Sequence, residues 1–177
     1  MINIRKATTA DAPRLLEIYA PYVENTAISF EYDVPSLQEF SHRISQISRH
    51  YPYIVAEQDG RVIGYAYASR FKERAAFQWS VETSIYFDPE MHRHGIGKLL
   101  YCALEQQLRA RGITNMNACI TYTDHPDSHL PTGSVPFHEA IGFTPCAHFH
   151  NCGYKFHNWY DIIWMEKMIN GHDSDLR

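Results

Sequence analysis

One segment of the chain combines two glycines with basic side chains. It reads His92-Arg93-His94-Gly95-Ile96-Gly97-Lys98 and stands between a strand pattern and a helix pattern. Glycines let the backbone come close to a ligand and present its N–H groups. The N-terminus of the following helix adds a partial positive charge, and the basic side chains add more. The segment favours a pyrophosphate site, although on spacing alone a tight turn without a ligand is an equal alternative.

Two other phosphate-binding motifs are excluded. The third glycine of a dinucleotide-binding fingerprint would fall at position 100, where the chain has Leu100. The sequence also contains no GxxxxGK[ST], which argues against a P-loop nucleotidase.

A second group of residues has the composition of a metal site. His148, His150 and Cys152 alternate, so on one strand they share a face. No CxxC or HExxH accompanies them, and an ordinary strand face is the alternative. We expect no metal.

Composition limits the class of protein. The 177 residues carry a formal net charge of −4, which excludes a broadly basic surface for nucleic acid. The sequence has no run of 18 apolar residues, and its N-terminus becomes polar too early for a signal peptide. Its four cysteines have no CxxC spacing. We therefore expect free thiols, a cytoplasmic protein and no membrane partner.

The first half of the chain predicts two helices and four strands. Strands are expected over 2–7, 53–57, 62–68 and 77–87, with Asp59-Gly60 as a hairpin turn. Thr8 or Thr9 caps a helix that runs to about Tyr22. Ser36 and Glu39 form a capping box that opens the second helix.

The second half predicts two further helices. Apolar residues recur at helical spacing from Ile96 to Leu108, and Gly112 ends that helix. A strand over 113–121 precedes a polar loop over 122–133, and Ser134 caps a short helix to Ile141. Strands follow from Phe143 to Met168. This order predicts one mixed α/β domain over 1–170 with a polar tail over 171–177.

Several stretches together resemble the GNAT superfamily of acetyl-CoA-dependent N-acetyltransferases, and within it the phosphinothricin N-acetyltransferase family. The resemblance spans residues 2–168 in order. It implies a GNAT fold, with a mixed central sheet of about six to seven strands flanked by about four helices. The matching stretches are 67–71, 79–86, 95–97, 137–143 and 153–156 followed by Trp159.

The resemblance implies a cofactor site for acetyl-CoA. Backbone groups of Ile85, Tyr86 and Phe87 should pair with the pantetheine arm like an added strand. The pyrophosphate should lie in the turn formed by Arg93, His94, Gly95, Ile96, Gly97 and Lys98, and Ser134 belongs to the same site. Two departures from the family pattern concern this site. His92 stands where Arg or Gln usually opens the turn, and the Asn that usually precedes the last short helix is missing from 130–134.

The resemblance also implies two catalytic residues. Glu82 stands where such enzymes place the proposed general base, and acetyl transfer needs a neutral amine, so a carboxylate could accept its proton. His138 stands where many of these enzymes have a Tyr beside the CoA sulfur, and an imidazole could donate to the departing thiolate. The alternatives are an ion pair of Glu82 with Arg70 or Arg74, and a packed helix histidine at 138.

The acceptor of the acetyl group is expected to be a small amino-acid-like amine. Lys72 and Arg74 could bind its carboxylate, and Phe30 and Tyr154 could line an amphipathic pocket. A solvated turn and ordinary core aromatics are the alternatives. Phosphinothricin and methionine sulfoximine or sulfone fit this description, and the family implies a homodimer. The alternative functions are a non-catalytic acyl-CoA-binding module and a peptide or protein N-acetyltransferase.

Overall fold

The computed structural model describes residues 1–91, 95–125 and 127–172. Within them it contains seven strands and four α-helices, which confirms the predicted class. The strands are β1 (Ile2–Lys6), β2 (Tyr53–Gln58), β3 (Arg61–Arg70), β4 (Ser80–Phe87), β5 (Asn115–Tyr122), β6 (Thr144–Lys155) and β7 (Asn158–Met168). The helices are α1 (Ala12–Asn25), α2 (Leu37–His50), α3 (Ile96–Arg109) and α4 (Ser134–Ala140).

All seven strands form one sheet in the order β1-β2-β3-β4-β5-β7-β6. Every neighbouring pair is antiparallel except β4 and β5, which are parallel and joined through α3. Apolar residues of α1 and α2 pack on one face of the sheet. Apolar residues of α3 and α4 pack on the other face. The sheet is therefore buried on both faces at its centre.

The pairing between β4 and β5 is short. It covers only Ser80–Glu82 against Asn115–Asn117. Beyond this point β4 stays with β3 and β5 stays with β7, up to Phe87 and Tyr122. The two central strands, both described in full, therefore diverge and leave a gap in the middle of the sheet.

The α1/α2 face carries a layer of tyrosines, drawn from the 12 in the sequence. The rings of Tyr53 and Tyr67 stack at 4.7 Å between centroids. Tyr86 on β4 packs edge-on against Tyr19 and Tyr22 of α1, at 5.0 and 5.2 Å. Such aromatic pairs add about 0.5–1.5 kcal/mol each beyond the area they bury. The layer holds α1 against β4 and thereby fixes one wall of the gap.

Three predicted boundaries are wrong for local reasons. β4 begins at Ser80 rather than Phe77, because the N–H of Phe77 donates to the carbonyl of Arg74 in a 3₁₀ turn. α1 continues past Tyr22 to Asn25, and buried Val23 extends its apolar face despite Pro21. Ser134 is the first residue of α4 rather than its cap, a position that Gly133 takes.

Other predictions of local structure are confirmed. Ser36 caps α2 by accepting from the N–H of Glu39 at 3.1 Å. Asp59 and Gly60 both have positive φ, as a two-residue hairpin turn requires. No helix in the described ranges has the length and apolar character needed to span a membrane. Of the predicted tail, residues 173–177 lie outside the described residues.

Candidate active site

The gap between β4 and β5 is a cleft with a volume of about 80 Å³. Successive side chains of a strand point to opposite faces, and both sets line the cleft, so it connects the two faces of the sheet. Thr83 and Ile85 line it on the α3/α4 side, and Ser84 and Tyr86 on the α1/α2 side. The other lining residues are Ile28, Tyr101, Ala118, Cys119, Ile120, Thr121, Ser134 and His138.

The backbone of β4 offers hydrogen-bonding groups to this cleft. The N–H of Asp88 donates to the carbonyl of Ile63 on β3 at 2.9 Å. In an antiparallel pair, the backbone groups of every second residue face the same neighbouring strand, so those of Tyr86 also face β3. Ile85 and Phe87 then face the cleft. The hydroxyl of Tyr22 accepts from the N–H of Phe87 at 3.2 Å and donates to its carbonyl at 2.8 Å. Of Ile85, Tyr86 and Phe87, only Ile85 therefore has backbone groups that face the cleft and are not bonded to the Tyr22 hydroxyl.

The glycine turn ends at the N-terminus of α3. Gly95 is the N-cap with φ of +71°, a left-handed conformation that favours glycine. A Cβ on Gly97 would stand 2.9 Å from the ring of Phe137, so the close packing of α4 needs a glycine there. Ile96 is buried and Lys98 is exposed. The predicted phosphate ligands Arg93 and His94, and the departure at His92, lie outside the described residues.

His138 and Tyr101 form a hydrogen-bonded pair on the α3/α4 side of the cleft. His138 is buried, with Nδ1 2.7 Å from the carbonyl oxygen of Ser134 and Nε2 2.9 Å from the hydroxyl of Tyr101. A carbonyl only accepts, so Nδ1 carries the proton. Burial lowers the pKa of His138, against a smaller opposite effect of the Ser134 carbonyl. The neutral ring therefore accepts at Nε2 from Tyr101.

Sequence reasoning missed Tyr101. Its hydroxyl lies 2.9 Å from His138 and 3.3 Å from the hydroxyl of Thr83 on β4, so it stands between α4 and the cleft wall. Burial raises the pKa of Tyr101, which keeps the phenol protonated. One signal was available: Tyr101 comes one helical turn after Gly97, on the helix that the glycine turn opens.

Glu82 lies on the other side of the sheet. It is half-buried, and burial raises the pKa of its carboxyl group, while the charge of Lys72 acts in the opposite sense. The ion pair considered as an alternative is absent from the described residues: Arg70 instead pairs with Glu73 at 3.0 Å. Glu82 is thus a carboxylate of raised proton affinity at the point where β4 and β5 diverge.

The predicted substrate residues separate into two groups. Lys72 lies 5.0 Å from the ring centroid of Phe71 and 5.7 Å from that of Trp164, and its charge acts on Glu82. Arg74 is exposed in the turn before β4.

Phe30 and Tyr154 do not line the cleft. The ring of Phe30 covers Gly153, and Tyr154 packs against Trp159 at 5.0 Å. Ile28, a residue that sequence reasoning missed, contributes the cleft wall from the α1–α2 connection.

The family model described as "Acetyltransferase (GNAT) domain" matches residues 4–164. The chain therefore belongs to the GNAT acetyltransferases. It is an acetyl-CoA-dependent N-acetyltransferase, and acetyl-CoA is its co-substrate.

Two relatives are similar to this chain over most of its length. A phosphinothricin N-acetyltransferase of Streptomyces viridochromogenes is 33% identical over 94% of this chain and 87% of its own. A methionine sulfoximine/methionine sulfone acetyltransferase of Pseudomonas aeruginosa is 31% identical over 93% and 92%.

Two solved structures are also similar. A phosphinothricin acetyltransferase of Sinorhizobium meliloti in complex with acetyl-CoA has a TM-score of 0.86 and 37% identity, covering 95% of this chain and 88% of its own. A ribosomal-protein-alanine N-acetyltransferase of Brucella melitensis has a TM-score of 0.86 and 32% identity, covering 94% and 99%.

Proposed function

We propose that the enzyme acetylates the primary amine of a small amino-acid-like acceptor, such as phosphinothricin, methionine sulfoximine or methionine sulfone. The observation that carries this proposal is the placement of two chemically different groups around one cleft. Glu82 approaches it from the α1/α2 side of the sheet, and Tyr101 with His138 from the α3/α4 side. An acyl group held in the cleft can therefore be attacked from one face while its leaving group departs towards the other.

Glu82 acts as the general base. An ammonium has no lone pair, so the acceptor must lose a proton before or during attack, directly or through a water molecule. A carboxylate whose pKa is raised by burial accepts that proton more readily than an exposed one. Because the described residues place no ion-pair partner on Glu82, its charge is available to the ammonium.

Tyr101 stabilises the departing thiolate by turning its O–H from Nε2 of His138 towards the sulfur. Its raised pKa makes Tyr101 a hydrogen-bond donor rather than a source of a fully transferred proton. Before that step, neutral His138, fixed by the Ser134 carbonyl, accepts from the phenol and holds it in place. The role predicted for His138 becomes an indirect one in this proposal.

The cofactor is held by the backbone of β4 and by the N-terminus of α3. The free edge at Ile85 fits an amide of the pantetheine arm as a further strand, and the helix N-terminus after Gly95 fits the pyrophosphate. Lys72 provides a positive charge for the carboxylate of an amino acid acceptor. Its cation–π contacts hold the charge near Glu82.

An acceptor panel tests the proposal. Thiol release from acetyl-CoA is measured with phosphinothricin, methionine sulfoximine, methionine sulfone, ordinary amino acids and short peptides. We expect kcat/KM to be highest for one of the first three compounds, and product mass to increase by one acetyl group. Turnover of none of the small amines would overturn the proposal.

The similarity to the ribosomal-protein-alanine N-acetyltransferase favours one second candidate, N-terminal acetylation of a protein. That activity requires a groove that admits a polypeptide. A peptide beginning with alanine, compared with free alanine in the same assay, distinguishes the two candidates. Turnover of the peptide alone would support the second.

We further propose that the enzyme is a single-domain homodimer. β6 forms one edge of the sheet, and long exposed edges need covering. Exposed aromatics cluster at the tip of the β6–β7 hairpin, where the hydroxyl of Tyr32 donates to the carbonyl of Tyr154 and Tyr154 packs on Trp159. Light scattering should give twice the chain mass of 20.6 kDa. Trp159→Ser should weaken the dimer, whereas Leu37→Ser, an exposed change on α2, should not.

The proposed compartment is the cytoplasm. All four cysteines are free thiols, and all are exposed. Such thiols persist in a reducing compartment. Fractionation of cells that express the protein from its own gene tests this assignment.

A further inference from the structure

Three metal-ligating side chains, none of which lines the cleft, converge on the β6–β7 hairpin. The ligand atoms of His148, His150 and Asp161 all lie within 4.8 Å of one another. The two imidazoles stack with centroids 4.1 Å apart and an interplanar angle of 23°. Both histidines are exposed and Asp161 is half-buried. A solvent ion can therefore reach all three.

The backbone of β6 builds this cluster. Between Phe149 and Gly153 the register with β7 is interrupted, and Asn151 adopts a left-handed φ of +48°. The N–H of Asn151 donates to Oδ1 of Asp161 at 2.8 Å. That bond leaves Oδ2 directed at Nε2 of His148, at 2.7 Å. Outer hydrogen bonds of this kind orient ligands in metal sites.

The ligand set differs from the one suggested by sequence spacing. Cys152 was the third member there, but its Sγ lies 3.5 Å from the carbonyl oxygen of Phe149, consistent with a weak thiol hydrogen bond. Asp161 from the neighbouring strand takes its place. The spacing of residues gives no sign of the strand pairing that brings Asp161 beside His148. The irregularity at Asn151 separates Cys152 from the two histidines.

We propose that His148, His150 and Asp161 form a surface site for a divalent transition-metal ion, with Zn²⁺ as the best match. Zinc binds imidazole nitrogen and carboxylate oxygen at about 2.0–2.2 Å, so tetrahedral ligand atoms stand about 3.3 Å apart. Exposed rings can close from the present separations by small rotations. The three ligands leave a fourth position for water, and the ion joins β6 to β7.

Calorimetric titration of ZnCl₂ into tag-free, metal-free protein tests the site. We expect one ion per chain. His148→Ala and His150→Ala should each weaken binding by at least about tenfold, and Asp161→Asn should do the same. Cys152→Ser should bind as the wild type does, because the sulfur is outside the ligand set. His42→Ala removes an exposed histidine on α2 and should also leave binding unchanged.

Thermal unfolding provides an independent measurement. Zinc should raise the melting temperature of the wild type and of Cys152→Ser, but not of His148→Ala. Acetyl transfer without added metal should be equal in these three proteins, which shows that each is folded. Absence of saturable binding, or wild-type affinity in both histidine variants, would overturn the proposal. Loss of binding in Cys152→Ser would overturn the proposed ligand set.

Discussion

At the scale of single residues, the surroundings of Glu82 decide what its carboxylate can do. Replacement of Glu82 by Gln keeps the shape of the side chain and removes the proposed base. We expect Glu82→Gln to lower kcat by about 10²–10⁴-fold, with little change in acetyl-CoA affinity. Steady-state kinetics with the best acceptor measures both values. Glu73→Gln is the control, because Glu73 is exposed and pairs with Arg70 in the turn before β4. Unchanged turnover in Glu82→Gln would remove Glu82 as the base.

The pH dependence of kcat follows from the same environment. Burial raises the pKa of Glu82 above its ordinary 4.5. The base works when deprotonated, so kcat should rise with pH through this raised pKa and fall on acidification. A pH–rate profile should show this limb displaced above pH 4.5. The residual activity of Glu82→Gln should lack the limb; its persistence there would assign it to another group.

Tyr101 carries a separate prediction about the leaving group. Tyr101→Phe removes the hydroxyl that donates to His138 and leaves a buried imidazole nitrogen without its partner. We expect kcat to fall by at least about tenfold, and the free energy of unfolding to fall by about 1–3 kcal/mol. Thiol-release kinetics and urea unfolding measure the two effects. Tyr122→Phe, which removes an exposed hydroxyl, should change neither.

Residue roles were only partly visible in the sequence. Motif position indicates Glu82 and His138, and the structure places both at the divergence of β4 and β5. In the proposed function the direct neighbour of the leaving group is Tyr101, which the sequence places among the apolar residues of a helix. Its hydroxyl meets His138 through packing of α3 against α4, and a contact between residues 37 positions apart has no local signal.

At the scale of elements, a phosphate-binding role of the glycine turn can be tested separately from its contribution to stability. Gly95 and Gly60 both have positive φ and open space where a Cβ would stand, but Gly60 lies in a remote hairpin. Alanine at either position should destabilise the fold by roughly 1–2 kcal/mol. Only Gly95→Ala should also raise the KM for acetyl-CoA. An equal KM in both variants would argue against a phosphate role for this turn.

Lys155 joins β6 to the end of α1 and to the α1–α2 connection, which carries the cleft residue Ile28. Its ammonium is buried and donates to the carbonyls of Val23, Thr26 and Ser29 at 2.7, 2.9 and 2.6 Å. Lys155→Met leaves these carbonyls unpaired, so the free energy of unfolding should fall by at least about 3 kcal/mol in urea titrations. Lys6→Met, at an exposed site, should change it by less than about 0.5 kcal/mol. Similar changes in the free energy of unfolding for the two variants would contradict a stabilising role for these three hydrogen bonds.

Most elements could be predicted, but their ends could not. Period and capping residues identify all seven strands and four helices in order. Boundaries failed where local hydrogen bonds compete with the pattern, as in the 3₁₀ turn before Ser80. The register break in β6 was also missed, because Asn151 carries no signal that distinguishes a bulge from a strand.

At the scale of the whole molecule, the divergence of β4 and β5 predicts which backbone amides acetyl-CoA protects from hydrogen exchange. Backbone amides of residues 83–87 that face the cleft should exchange slowly in its presence and faster without it. Hydrogen exchange with mass spectrometry measures this difference. The β2–β3 hairpin, whose turn residues do not line the cleft, serves as the internal reference. Equal exchange across 83–87 in the two states would contradict the added-strand mode of binding.

The sheet order itself was beyond the sequence. Alternating elements indicate a mixed α/β domain, and the hairpin turn fixes the β2–β3 pair. The parallel junction and the insertion of β7 between β5 and β6 depend on contacts far apart in the chain. Resemblance to a known family supplied the GNAT fold, whereas the residue pattern alone supplied the elements and the mixed α/β class.

The three-residue junction between β4 and β5 also bears on how the sheet opens. The hairpins β2–β3, β3–β4 and β6–β7 pair nearby segments, whereas the parallel junction pairs residues across the α3 crossover. Only three residue pairs hold this junction, so little strand pairing opposes its separation. This seam should therefore be the first part of the central sheet to open. A ligand that bridges it would slow unfolding more than it speeds folding. Bound acetyl-CoA would therefore also lengthen the lifetime of the folded enzyme.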